Sequence, residues 1–93
     1  MDKIYLTITG HDSGADKSYE KSKTYDEAVD KLHDFFLSYD FIVKDGKPYD
    51  EGHGEYPDPE GFKCFTSVIM HNGKVAQFTH CDGDGPVGEI EEV

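Results

Sequence analysis

Two cysteines, five histidines and twenty carboxylates are the groups in this chain that could hold a metal, exchange thiols or move protons. Their spacing decides among those chemistries. Cys64 and Cys81 are not a C-x-x-C pair and no H-x-x-x-H is present, so the local spacing of a zinc site is missing. His53-Gly54-Glu55 matches the H-x-E of zinc deaminases, but the P-C-x-x-C that must follow is absent. A calcium loop starting at Asp82 would have Asp84 third, but Pro86, Val87 and Val93 fifth, sixth and twelfth, which fails. The glycines between Gly83 and Gly88 lack the Lys-Ser/Thr and βαβ setting of a phosphate loop. There is no G-x-S-x-G, and His11-Asp12 and His33-Asp34 are sequence neighbours that would not face each other on a helix. The expectation is a protein that is not an enzyme, with no catalytic residues, no cofactor and no metal ligands.

What remains is acidity. Twenty Asp and Glu against nine Lys and no Arg give a net charge of −11. Such a charge repels nucleic-acid phosphates and anionic lipid heads, so direct nucleic-acid or membrane binding is not expected. It favours a basic protein partner, above all one that itself binds nucleic acid. Two groups of carboxylates are the candidate partner-binding residues. Asp26, Asp30 and Asp34 fall at i, i+4 and i+8 of a helix and form one stripe. Asp50, Glu51, Glu55, Asp58 and Glu60 crowd a loop broken by two glycines and two prolines. A folded chain of this length has a diameter of ~30 Å, over which duplex DNA carries ~18 phosphates, a number comparable with the carboxylates here.

The elements that must carry these groups are legible. Lys3–Thr9 alternates, with Ile4, Leu6 and Ile8 on one face, and reads as a half-buried strand. Lys17–Lys23 reads as a weak second strand. Thr24 and Glu27 form a capping box, and Ala28, Val29, Leu32, Phe35, Phe36 and Tyr39 recur at helical spacing, which predicts a helix over 25–39. Phe41–Lys44 is a short strand before the Asp45-Gly46 turn, and Pro48 marks its return as an edge. Phe62–Met70 and Val75–Cys81 flank Asn72-Gly73, the strongest short hairpin signal. The expected fold is α+β: an antiparallel β-sheet with a single α-helix on one face, of β-β-α-β-β-β type.

A two-residue Asn72-Gly73 loop sets the register, with Phe65 opposite His80 and Cys64 opposite Cys81. Counting outward puts the cysteine pair at a non-hydrogen-bonded position, where side chains come closest. A cross-strand disulfide is sterically available, but two reduced thiols are expected in the cytosol. Strict alternation places Phe65, Ile69, Ala76 and Phe78 on one face and Cys64, Val68, Met70, Val75 and Cys81 on the other. His80 would then point away from Cys81. One of those faces has no helix to cover it and is a candidate dimer contact.

Residues 1–93 read as one small domain, with about 82–93 an acidic, flexible tail. Leu, Ile, Val and Phe make 20 of the 93 residues, which allows only a thin core. No secretory signal and no membrane-length apolar run is visible, so a cytoplasmic location is expected. In size, charge and open α+β build the chain resembles small acidic inhibitors of phages and mobile elements, including anti-CRISPR and antirestriction proteins. Those proteins share no motif, so the resemblance carries over no residue. Toxin or bacteriocin immunity proteins share the same character, and an accessory domain dimerising through its spare sheet face is a third reading.

Overall fold

A computed structural model describes residues 3–11, 17–51, 60–81 and 85–93. The fold is α+β. Strands β1 (Tyr5–His11) and β2 (Ser18–Ser22) precede helix α1 (Tyr25–Leu37). A small hairpin, β3 (Ile42–Lys44) and β4 (Lys47–Tyr49), leads to the four-residue helix α2 (Glu60–Lys63). Strands β5 (Phe65–His71), β6 (Lys74–His80) and β7 (Pro86–Glu92) complete the chain. Five strands form an antiparallel sheet in the order β2-β1-β7-β6-β5, and β3 and β4 form a separate two-stranded ribbon.

Local signals set most of these elements. Thr24 Oγ1 caps α1 by accepting the Glu27 N–H at 3.1 Å, and the Glu27 carboxylate accepts the Lys23 N–H at 3.3 Å. The helix ends at Leu37, two residues earlier than its apolar pattern suggests, where Ser38 N–H returns to the Asp34 carbonyl. Asp45-Gly46 and Asn72-Gly73 both take positive φ at their two central residues, as type I′ hairpin turns require. At Gly61 a side chain has no room: a Cβ there would lie 2.7 Å from two atoms of the buried Tyr49 ring.

Much of the segment expected to fray is a strand. Pro86–Glu92 is β7, paired with β1 along seven residues and with β6 through Phe78–Gly88 and Thr79–Val87. Its Glu-Ile-Glu-Glu run reads as solvated tail because its partners are far away in sequence. Gly88 sits beneath α1, where a Cβ would come within 3.1 Å of Leu32 and 3.2 Å of Phe78. Pro86 opens the strand, a position where the missing N–H costs no ladder bond.

Helix α1 lies across β6, β1 and β7. It meets the Tyr5, Thr7 and Thr9 face of β1: buried Thr7 donates from Oγ1 to the Ala28 carbonyl at 3.1 Å. Ile4, Leu6 and Ile8 therefore face the open side of the sheet, where Ile8 is still buried but Ile4 is exposed. The core gathers Leu32 and Phe36 of the helix with Phe41, Cys64, Phe65, Val75 and Phe78.

The β5–β6 register holds at both ends, with Phe65 opposite His80 and His71 opposite Lys74. Between them it slips twice: Thr66 pairs with Thr79, Ile69 with Gln77, and Met70 with Val75. Each strand carries one irregularity, and Ser67 takes a φ of 53° at the first. The two compensate in count but not in facing. Val75 and Met70 join Phe65 and Phe78 on the core side, and Ile69 turns outward and is exposed. The strict sorting of the two faces is corrected accordingly. The bulges also change the ladder near its end, where Cys81 N–H donates to the Cys64 carbonyl at 2.7 Å. The cysteines are thus opposite one another as expected, but joined by a backbone hydrogen bond rather than at a non-hydrogen-bonded position.

The molecule measures 49 × 29 × 19 Å, longer and flatter than a ~30 Å sphere. Over 49 Å duplex DNA would carry about 29 phosphates, so the same carboxylates are spread more thinly than a spherical shape implies.

Candidate functional site

Every Asp and Glu whose side chain is described, Asp50 excepted, is exposed. Asp26, Asp30 and Asp34 lie on the outer side of α1, opposite buried Ala28, Val29, Leu32 and Phe36, and are spaced ~6 Å apart along its axis. The β5–β6 turn reaches over to the first two. His71 Nε2 donates to Asp26 Oδ1 at 2.8 Å, and the Lys74 ammonium pairs with Asp30. The hydrogen bond to Asp30, and then its charge, raise the Lys74 pKa above the usual lysine value. Asp34 has no side-chain partner among the described residues.

The loop group is only partly assembled. Glu51 is exposed and Glu60 opens α2. Glu55 and Asp58 lie outside the described residues. Asp50 turns inward: its Oδ2 accepts from His80 Nε2 at 3.1 Å, and its side chain is 16% exposed. It is bound up in the structure rather than offered to a partner. Among the described residues only two lysine–carboxylate pairs occur, Lys74 with Asp30 and Lys3 with Glu92, so most of the surface acidity is not offset locally.

No family model, curated protein or solved structure matches this chain. No helix among the described residues is long and apolar enough to cross a membrane.

A second constellation, set aside in the sequence for want of zinc-site spacing and because His80 should point away from Cys81, is brought together by the fold. One donor atom each from Cys64, His80 and Cys81 lies within 4.8 Å of the other two. Alternation along β6 predicts that His80 and Cys81 diverge. Cys81, however, lies one residue beyond the strand, where the chain bends and alternation no longer applies. The His80 ring is buried, stacked on Phe41 at 5.2 Å and edge-on to Phe65 at 5.3 Å. Cys64 is buried and Cys81 exposed, and no disulfide joins them. The only sequence signal was the register itself, which pairs Cys64 with Cys81 and Phe65 with His80.

His33 links the helix to the hairpin. Its Nδ1 accepts the Val75 N–H at 3.1 Å, and its ring stacks on Phe36 at 5.9 Å. Burial, followed by the nearby Lys74 charge, lowers its pKa from the usual histidine value. A depressed folded-state pKa means that the unfolded chain takes up the proton first. Stability from this group is complete above the unfolded value near 6.5 and is lost as pH falls through the lower folded value. Between about pH 7.5 and about pH 5.5 the urea midpoint of the native protein should fall relative to that of His33→Gln, which cannot titrate. Parallel pH profiles for the two proteins would remove His33 as the cause.

Proposed function

We propose that the chain is a small acidic protein-binding inhibitor of phage or mobile-element type, anti-CRISPR- or antirestriction-like in character. It blocks a basic nucleic-acid-binding surface of its target by presenting carboxylates where phosphates would lie. The observation that carries this reading is the exposure of the described carboxylates on a chain of net charge −11 with few local cation partners. Asp34 and Glu51, with the hairpin-paired Asp26 and Asp30, are the members of the contact surface whose side chains are described as exposed.

Competition tests it. Immobilised protein in host lysate at low salt should retain a basic, nucleic-acid-binding protein, and added duplex DNA should release it. A retained partner that DNA does not displace, or one with no basic surface, would count against mimicry. A toxin as the retained partner would favour an immunity protein. Retention of nothing but a second copy of this chain would favour the accessory-domain reading, for which Ile4, Tyr19 and Ile69 are exposed.

A further inference from the structure

The geometry points to a zinc site formed by Cys64, His80 and Cys81, separate from the acidic surface. Thiolate and imidazole donors in this combination suit zinc, which binds sulfur at ~2.3 Å and nitrogen at ~2.0–2.1 Å in tetrahedral geometry. Those bond lengths place neighbouring donor atoms ~3.5–3.8 Å apart. Here all three lie within 4.8 Å of one another, so gathering them round one ion needs a closure of at most ~1.3 Å per pair. Small side-chain rotations supply that without moving the backbone.

The three donors come from two segments that the fold holds together. Cys64 follows α2, and His80 and Cys81 close β6; the Cys81 N–H to Cys64 carbonyl bond fixes their separation. The imidazole is oriented as well. Phe41 and Phe65 fix its plane and Nε2 donates to Asp50, and the ion is assigned to Nδ1. A carboxylate on the far nitrogen of a histidine is the usual device for orienting a metal-binding ring and strengthening it as a ligand. Asp50 is itself held, its N–H donating to the Gly61 carbonyl at 3.1 Å. It is a positioning residue here, not a ligand. Cys81 is exposed and gives the ion its way in. Three protein ligands leave the fourth tetrahedral position to solvent.

Cobalt(II) is the probe, because its spectrum reports both thiolate ligation and coordination number. Titrated into the reduced protein, it should develop a thiolate-to-cobalt charge-transfer band and intense visible bands of four-coordinate cobalt. Both should saturate at one ion per chain, and zinc should abolish them. Cys81→Ser changes an exposed position, so it should fold and lose the tight-binding spectrum. Asp50→Asn should keep the band but weaken affinity by about 10–100-fold. Zinc at about a hundredfold above its Kd should raise the native melting temperature by roughly 10–20 °C. The proposal is overturned by a reduced, folded native chain that shows no charge-transfer band. It is equally overturned by a Cys81→Ser protein that binds cobalt as tightly with the same spectrum, which would assign the ion to the chain's other histidines and carboxylates. Neither failure touches the DNA-competition test of the acidic surface.

Discussion

Replacing Phe36 by alanine should lower the melting temperature by roughly 12–40 °C. Phe36 is completely buried, and its ring meets Phe78 at 5.3 Å, Phe41 at 5.4 Å and Phe65 at 5.7 Å. It is the point where the helix, the sheet and the residue leading into the β3–β4 ribbon converge. Truncating a buried phenylalanine costs about 3–5 kcal/mol, through lost transfer energy and the cavity left behind. A chain of this size has about 5–14 kcal/mol of stability in total. The change therefore removes between about a fifth and all of it. Tyr19→Ala, at a residue 60% exposed on the edge strand, is the comparison and should stay within about 0.5 kcal/mol of the native protein. Thermal unfolding followed by circular dichroism reads both. A Phe36→Ala protein that melts within a few degrees of the native one would mean that the aromatic cluster is not the core.

Phe36 also shows why the helix was legible in the sequence and the tail was not. Helix α1 announces itself locally: Thr24 and Glu27 fix its start, and Leu32 and Phe36 mark its inner face. The two Asx-Gly turns are equally local, since positive φ at two successive residues selects Asp-Gly and Asn-Gly. Strand β7 has no such signal. Its backbone is satisfied by β1, some eighty residues away in the chain, and its defining residue, Gly88, is required by the position of Leu32 and Phe78. The same distinction separates the two sites. The Asp26/Asp30/Asp34 stripe follows from helical spacing alone, but its partial neutralisation by His71 and Lys74 depends on where the hairpin tip lands. The cysteine register was correct at its ends because the turn fixes it. The faces were not, because two compensating bulges leave no mark on composition. Asp50 looked like one more loop carboxylate, and only the packing of His80 between Phe41 and Phe65 brings it inward.

Converting Asp26, Asp30 and Asp34 together to Asn should slow association with a basic partner by about tenfold or more at low ionic strength, and the gap should close as salt rises. The substitution leaves a net charge of −8, obtained by removing three of the eleven net negative charges. All three side chains are exposed, so the fold should survive. The lost pairings with His71 and Lys74 are offset in part by relief of like-charge repulsion along the helix. Overall charge and a localised contact surface both predict slower capture, so a second variant has to separate them. Glu20, Glu89 and Glu91 are also exposed, lie on sheet strands rather than on α1, and change the net charge equally when converted to Gln. If the helix stripe is the contact surface, its variant should lose rate and also dissociate faster, whereas the sheet variant should lose only a small, salt-sensitive part of the rate. Equal effects from the two would mean that the acidity acts as a diffuse field and that no particular face is used. Unchanged kinetics in both would place capture on the uncharged surface, where the open sheet face and its exposed Ile4, Tyr19 and Ile69 are what remains.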